Sequence, residues 1–337
     1  MSKKEYPFAR TAVALLLLIG GLSLGRGRAQ SLIDEVHINP PSESLPPFGR
    51  EQIEPGLNTH TASFKANVDL VLVSVTITDP HERSVIGLGQ KNFEVYEGKN
   101  RQEIRHFSAE DAPISLGVIL DLSGSMSSKI EKAREAVVEF LKTANQQDEF
   151  FIVTFADQPE EMSGFTTSVE EVQGRLLYTV PKGRTALLDA IYLGISKMRE
   201  ARYQKRALLI ISDGGDNHSR YTEGEIKALV READVLLYAV GIYDRFFPTP
   251  EEQLGPWLLT DLTEITGGRT YTIDNPNALP AVAKAIGIQL RNQYVIGYRP
   301  NSERNGKWHK IKIKLRALKG LPPLRVRAKT GYYAPTE

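Results

Sequence analysis

The sequence contains no cysteine, which excludes disulfides, thiolate metal sites, cysteine nucleophiles and lipid attachment through cysteine. A chain without cross-links draws its stability from its core, and 41% hydrophobic residues in 337 allow a sizeable one. Net charge is equally scarce. The 42 Lys and Arg residues nearly balance 41 Asp and Glu, and no basic stripe interleaves with aromatics, so a nucleic-acid partner is not expected. Six histidines (His37, His60, His81, His106, His218 and His309) are scattered along the chain, and neither a His-Glu-x-x-His helix nor a Gly-x-Ser-x-Gly elbow occurs. With no base or nucleophile pair in view, the chain is expected not to be an enzyme.

What is present begins with a targeting pattern. Lys3, Lys4 and Arg10 precede an apolar stretch from Thr11 to Leu24, and Gly27-Arg28-Ala29 precedes Gln30. Positive residues, an apolar run and a small-residue cleavage site in that order predict a secretory signal over residues 1–29. The run is shorter than the roughly 20 residues of a membrane-spanning helix. The expected mature chain therefore has no membrane span and is exported to the periplasm, the cell envelope or the medium. Residues 30–65, with Pro40, Pro41, Pro46, Pro47 and Pro55 among polar residues, read as a flexible linker.

From Ala66 the texture becomes alternating. Val68 to Ile77, Phe93 to Tyr96 and Ile104 to Phe107 are predicted strands, so residues 66–112 read as all-β. Beyond Pro113, strands at Ser115 to Leu120, Phe150 to Phe155, Ala207 to Ile211 and Val235 to Val240 alternate with apolar positions at helical spacing, as in Ile130, Ala133, Val137, Phe140 and Leu141. Helices are further expected at Trp257 to Ile265 and Ala278 to Leu290, with a strand at Arg269 to Ile273 between them. The fold class is thus α/β over residues 113–292, a doubly wound, mostly parallel Rossmann-like sheet. Strands return at Tyr294 to Tyr298, His309 to Leu315 and Leu324 to Ala328. The economical arrangement inserts the α/β unit into a small all-β domain built from residues 66–112 and 293–337.

The chemistry concentrates at strand ends. Ile119-Leu120 gives way to Asp121-Leu122-Ser123-Gly124-Ser125, and Ile210-Ile211 gives way to Ser212-Asp213-Gly214-Gly215-Asp216-Asn217. Parallel strands bring both ends to one edge, where open α/β sheets bind ligands. Gly183-Arg184-Thr185, just before a helix, adds a third hydroxyl at that edge. Two carboxylates with the hydroxyls of Ser123, Ser125 and Thr185 form an all-oxygen set suited to a hard cation, Mg²⁺ first and Mn²⁺ or Ca²⁺ as alternatives, rather than to Zn²⁺. Asp121 and Asp213 at most neutralise such an ion, which stays electrophilic toward a carboxylate from another protein. Taken singly, Asp121 or Ser123 reads as a helix cap, Asp216-Asn217 as a solvated turn, and Asp157 and Asp189 as structural residues. Tyr243-Asp244-Arg245-Phe246-Phe247-Pro248 reads equally as a partner-facing loop and as packing.

In order and context, Asp121-x-Ser123-x-Ser125, Thr185 and Asp213 resemble the metal-ion-dependent adhesion site of von Willebrand factor type A domains. The resemblance spans about Pro113 to Asn292. It implies direct contact of the ion with Ser123, Ser125 and either Thr185 or an aspartate, the rest acting through water. It also implies that movement of the helix ending near Leu290 can couple to the metal loop. Phe93-Glu94-Val95-Tyr96-Glu97 and Gly297-Tyr298-Arg299-Pro300 resemble the flanks of bacterial proteins related to this family. The expected function is a metal-dependent adhesion or interaction module whose partner is a protein or matrix component offering a carboxylate. Two other classes stand beside it: an envelope scaffold with a structural metal, and a hydrolase using metal-activated water.

Overall fold

A computed structural model describes residues 70–109, 111–243, 250–316 and 322–336, the side chains of 250–254 excepted. The signal and linker expectations, and those for Phe246 and Phe247, lie outside the described residues. Among the described residues, no helix is long and apolar enough to cross a membrane.

The described residues form one compact unit. Its strands and helices run β1 (Val71–Thr78), β2 (Phe93–Glu97), β3 (Asn100–Gln102), β4 (Ile104–Ser108), β5 (Ile114–Asp121), α1 (Ile130–Leu141), β6 (Glu149–Phe155), β7 (Pro159–Thr166), α2 (Val169–Leu176) and α3 (Leu187–Lys197). They continue with β8 (Lys205–Ser212), α4 (Glu223–Glu232), β9 (Leu236–Ile242), α5 (Pro250–Thr266), β10 (Arg269–Ile273), α6 (Leu279–Arg291), β11 (Tyr294–Tyr298), β12 (Trp308–Leu315), β13 (Arg325–Ala328) and β14 (Gly331–Tyr333).

The central sheet has the order β10-β9-β8-β5-β6-β7, parallel throughout except for β7 at one edge. All eight residues of β5 are buried, as a strand covered on both faces requires, and its near-continuous apolar run reflects that. Residues from α1, α2 and α6 pack on one face of the sheet, and residues from α3, α4 and α5 on the other. The chain leaves β5 toward β6 on one side and later returns to β8 on the other, so the strand order reverses between β5 and β8. That crevice is where doubly wound sheets hold ligands.

Two antiparallel sheets, β13-β1-β11-β4 and β14-β12-β2-β3, contain strands from before and after the α/β segment. β1 pairs with β11 in the register Val73 to Ile296, and β2 pairs with β12 in the register Val95 to Ile313. Val73, Val75, Ile77, Phe93, Tyr294 and Ile311 belong to a third core cluster. Inside it Glu97 is buried and accepts hydrogen bonds from the hydroxyls of Tyr298, at 3.1 Å, and Tyr332, at 3.4 Å, while His309 Nδ1 lies 2.8 Å away.

Candidate functional site

The apolar run of β5 ends on Asp121 and that of β8 on Ser212. Because Leu120 pairs with Ile211 in parallel register, Asp121 and the Ser212-Asp213 step emerge side by side. Both carboxylates are fully buried. One oxygen of Asp121, Oδ1, accepts the Ser123 N–H at 2.7 Å, and the other, Oδ2, accepts the Ser212 hydroxyl at 2.5 Å. Ser125 Oγ donates to Asp213 Oδ1 at 2.8 Å and lies 3.1 Å from Ser123 Oγ. Lys129 Nζ donates to Asp213 Oδ2 at 2.6 Å. Asp121, Ser123, Ser125 and Asp213 are thereby joined at one edge, with Lys129 alongside.

Thr185 arrives on a separate loop that is fastened to the first. The Gly183 carbonyl accepts from Gly124 N at 3.1 Å, and Leu122 O accepts from Lys182 N at 2.8 Å. Gly183 sits at φ +80°, and a Cβ there would fall 2.5 Å from Asp157 Oδ2, so only glycine suits the turn. Asp157 holds the same loop by accepting Arg184 N at 3.0 Å, and that bond is the main reason its carboxyl lies below the usual range. Thr185 is nearly buried. Among the described residues its hydroxyl has no hydrogen-bond partner, and none links it to the other four.

Residues that the sequence marks only as a turn or as structural positions do much of the positioning. Asn217 Oδ1 accepts the Thr185 N–H at 2.9 Å, and the Thr185 carbonyl accepts from Asn217 N at 3.0 Å and His218 N at 3.2 Å. Asp216 Oδ1 accepts from Leu188 N at 3.2 Å, at the start of α3. Asp189 accepts Arg220 N at 2.9 Å and Tyr221 N at 3.1 Å, fixing the loop before α4. The Asp216-Asn217 turn is therefore the clasp of the Thr185 loop. Replacing Asn217 with Ala removes one such bond and is expected to cost about 1 kcal/mol in urea unfolding. The same change should speed hydrogen exchange at Thr185 N–H, and unchanged exchange would contradict the clasp.

Electrostatically the pocket is acidic. Burial first, and the neighbouring Asp213 charge second, push Asp121 from 3.8 up to about 6, against the lowering influence of its bonds from Ser123 and Ser212. Gly124 and Ser125 are exposed, so the cluster opens to solvent there. Among the described residues, no group of three or more His, Cys, Asp or Glu is arranged to hold a metal. A cation at this edge would rest on two carboxylates and neutral oxygens. Crowded buried carboxylates, a nearly buried hydroxyl without a partner and an all-oxygen donor set fit a hard divalent ion.

Residues 116–215 match the von Willebrand factor type A domain, a segment that contains all five of these residues. An uncharacterized protein of Borreliella burgdorferi is 21% identical over 200 residues, 52% of this chain and 58% of that protein. Inter-alpha-trypsin inhibitor heavy chain H4 of Sus scrofa is 24% identical over 132 residues, 36% of this chain and 14% of that protein. The chain thus spans less than two thirds of either relative. Among solved structures, a von Willebrand factor type A protein from Catenulispora acidiphila is similar over 81% of this chain and 76% of that one, with 12% identity and a TM-score of 0.47. Proximal thread matrix protein 1 from the mussel byssus, with a zinc-occupied adhesion motif, is similar over 59% of this chain and 50% of that one, with 16% identity and a TM-score of 0.44.

Proposed function

We propose that the chain is a non-catalytic, exported binding module that captures a protein or matrix partner through a divalent cation held by Asp121, Ser123, Ser125, Thr185 and Asp213. The observation that carries this reading is the pair of buried carboxylates at the β5/β8 crevice, open to solvent through Ser125. In this reading residues 113–292 are the binding domain, inserted in a β-domain of residues 66–112 and 293–337. Domains of the matched type are generally protein-interaction modules.

A bound divalent ion would supply an electrophilic centre for a partner carboxylate, and Mg²⁺ is our first choice. The protein's own residues prepare that position. Ser123 N–H and the Ser212 hydroxyl hold Asp121 in one orientation, so little rearrangement is needed on binding. Lys129 engages one oxygen of Asp213 and takes up part of its charge, so the two carboxylates would leave a bound dication with residual positive charge. The hydroxyls add ligands without charge, which leaves the ion able to attract an acid.

Calorimetric titration of Mg²⁺, Mn²⁺ and Ca²⁺ into the wild-type chain and Asp121→Ala tests the reading. Saturable binding that the variant loses is expected. No binding by the wild type, or equal binding by the variant, would remove the cation from the function and leave a cation-independent interaction domain.

A further inference from the structure

The end of the central sheet remote from Asp121 borders a cleft of about 840 Å³. Lys205 and Leu236, the first residues of β8 and β9, line one side together with Arg206 and Arg231. The other side is a face of the β13-β1-β11-β4 sheet, including Leu72, Ser74, His106 and Val295, with Leu70 just before β1. Alternation along β1 explains that face. Val73, Val75 and Ile77 enter the β-sheet core, so Leu72 and Ser74 turn away from it. Gly297 keeps the same face low, since a Cβ there would meet His106 Cβ at 2.9 Å and Leu72 Cδ2 at 3.0 Å. Trp308, Tyr332 and Tyr333 add aromatic surface.

The cleft is apolar with a basic bias. Its charged lining comprises Lys205, Arg206, Arg231 and Lys329 against Glu232 and Asp234, and Asp234 is already taken by Lys329 at 2.6 Å. Lys205 is the unusual member. Among the described residues nothing forms an ion pair or hydrogen bond with its ammonium, and Asp111 attracts it only from beyond ion-pair reach. Asp111 is itself engaged by Arg291 at 3.0 Å and Asn145 at 2.6 Å. Burial pushes the Lys205 ammonium below its ordinary range. An unpaired, partly buried cation lowers stability, and one that faces a cavity of small-molecule size marks a ligand position.

We propose that this cleft binds a small amphiphilic anion, an apolar body bearing one acidic group, with the acid paired to Lys205 and the body lying against Leu70, Leu72, Val295 and the aromatic side chains. A neutral ligand leaves the ammonium unanswered, and a cationic one is repelled. The site is independent of the Asp121 cluster, so it is tested in EDTA, where failure of the cation reading has no bearing on it.

Octanoate, 1-octanol and octylammonium are titrated calorimetrically into the full chain. One saturable octanoate site is expected, tighter than octanol by roughly tenfold or more, with no binding of octylammonium. In Lys205→Met the octanoate affinity falls to that of octanol, whereas Lys205→Arg stays within a few-fold of wild type. Lys205→Met should melt no lower than wild type, since it replaces an unpaired, partly buried charge with an apolar chain. Absence of saturable octanoate binding, equal affinities for octanoate and octanol in the wild type, or wild-type binding by Lys205→Met overturns the proposal. The first two outcomes need no variant at all.

Discussion

Replacing Asp148 with Ala is expected to destabilise the chain by about 3–5 kcal/mol, the range for breaking a buried ion pair from one side. Asp148 is buried between β5 and β6. Its Oδ1 accepts the Ile114 N–H at 2.9 Å, its Oδ2 accepts the Asn145 N–H at 2.6 Å, and it pairs with the Arg291 guanidinium at the end of α6. One carboxylate therefore ties the first residue of the central strand, the turn into β6 and the helix that leads into β11. The truncation leaves the Ile114 N–H without its acceptor and strips Arg291 of its buried partner, although Asp111 and the Thr143 carbonyl still hold that guanidinium. Asp148→Asn keeps an acceptor for one of the two N–H groups and should fall between wild type and Ala. Urea unfolding followed by circular dichroism measures both. A loss below about 1 kcal/mol for the Ala variant would mean that water replaces the carboxylate at no great cost, contrary to the burial argument.

The same physics decides what could be read in the sequence. β10 and β11 have the expected bounds, Arg269–Ile273 and Tyr294–Tyr298, and the apolar runs of β5, β6 and β8 locate them to within two residues. Burial on both faces writes a continuous signal. β7 carries none, because an edge strand starting at Pro159 with Glu160, Glu161 and Gly164 owes its place to pairing with β6. α2 is eight residues long and buries only Val172 and Leu176, too little for a period to emerge. α5 begins at Pro250 rather than near Trp257, with Pro256 inside it, a residue that reads as a breaker. At the candidate site, Asp121, Ser123, Ser125 and Asp213 were legible because each follows an apolar strand. Lys129, 84 residues from Asp213, and Ser212, 91 residues from Asp121, acquire their roles only through the parallel register. No local pattern encodes that register. The Asn217 clasp on Thr185 was missed for the same reason, as an Asx-rich turn looks alike whether or not another loop docks on it.

In the metal-free chain, Asp121→Asn is expected to raise stability at pH 7.5 by about 3 kcal/mol while abolishing cation binding. The sign follows from the upward displacement of Asp121, from 3.8 to about 6, which corresponds to about 3 kcal/mol of linkage. Below 3.8 the carboxyl is protonated in both states and costs nothing. Between 3.8 and about 6 the unfolded chain releases the proton while the folded chain keeps it, so this group's contribution to stability falls as pH rises. Above about 6 the folded chain carries the Asp121 charge out of water and beside Asp213, and the full penalty persists. Asparagine retains an acceptor for Ser123 N–H and has no charge to repel Asp213. The difference in unfolding free energy between variant and wild type, measured in EDTA, should therefore be small near pH 3.5 and grow to its plateau above pH 6. A difference that does not change with pH would show that neither burial nor the Asp213 charge penalises the Asp121 carboxylate in the folded chain. Saturating divalent cation should close the gap at pH 7.5 by stabilising the wild type alone. The buried Asp121 carboxylate thus lowers the stability of the empty fold, and on the proposed function that cost is the source of the site's attraction for a cation.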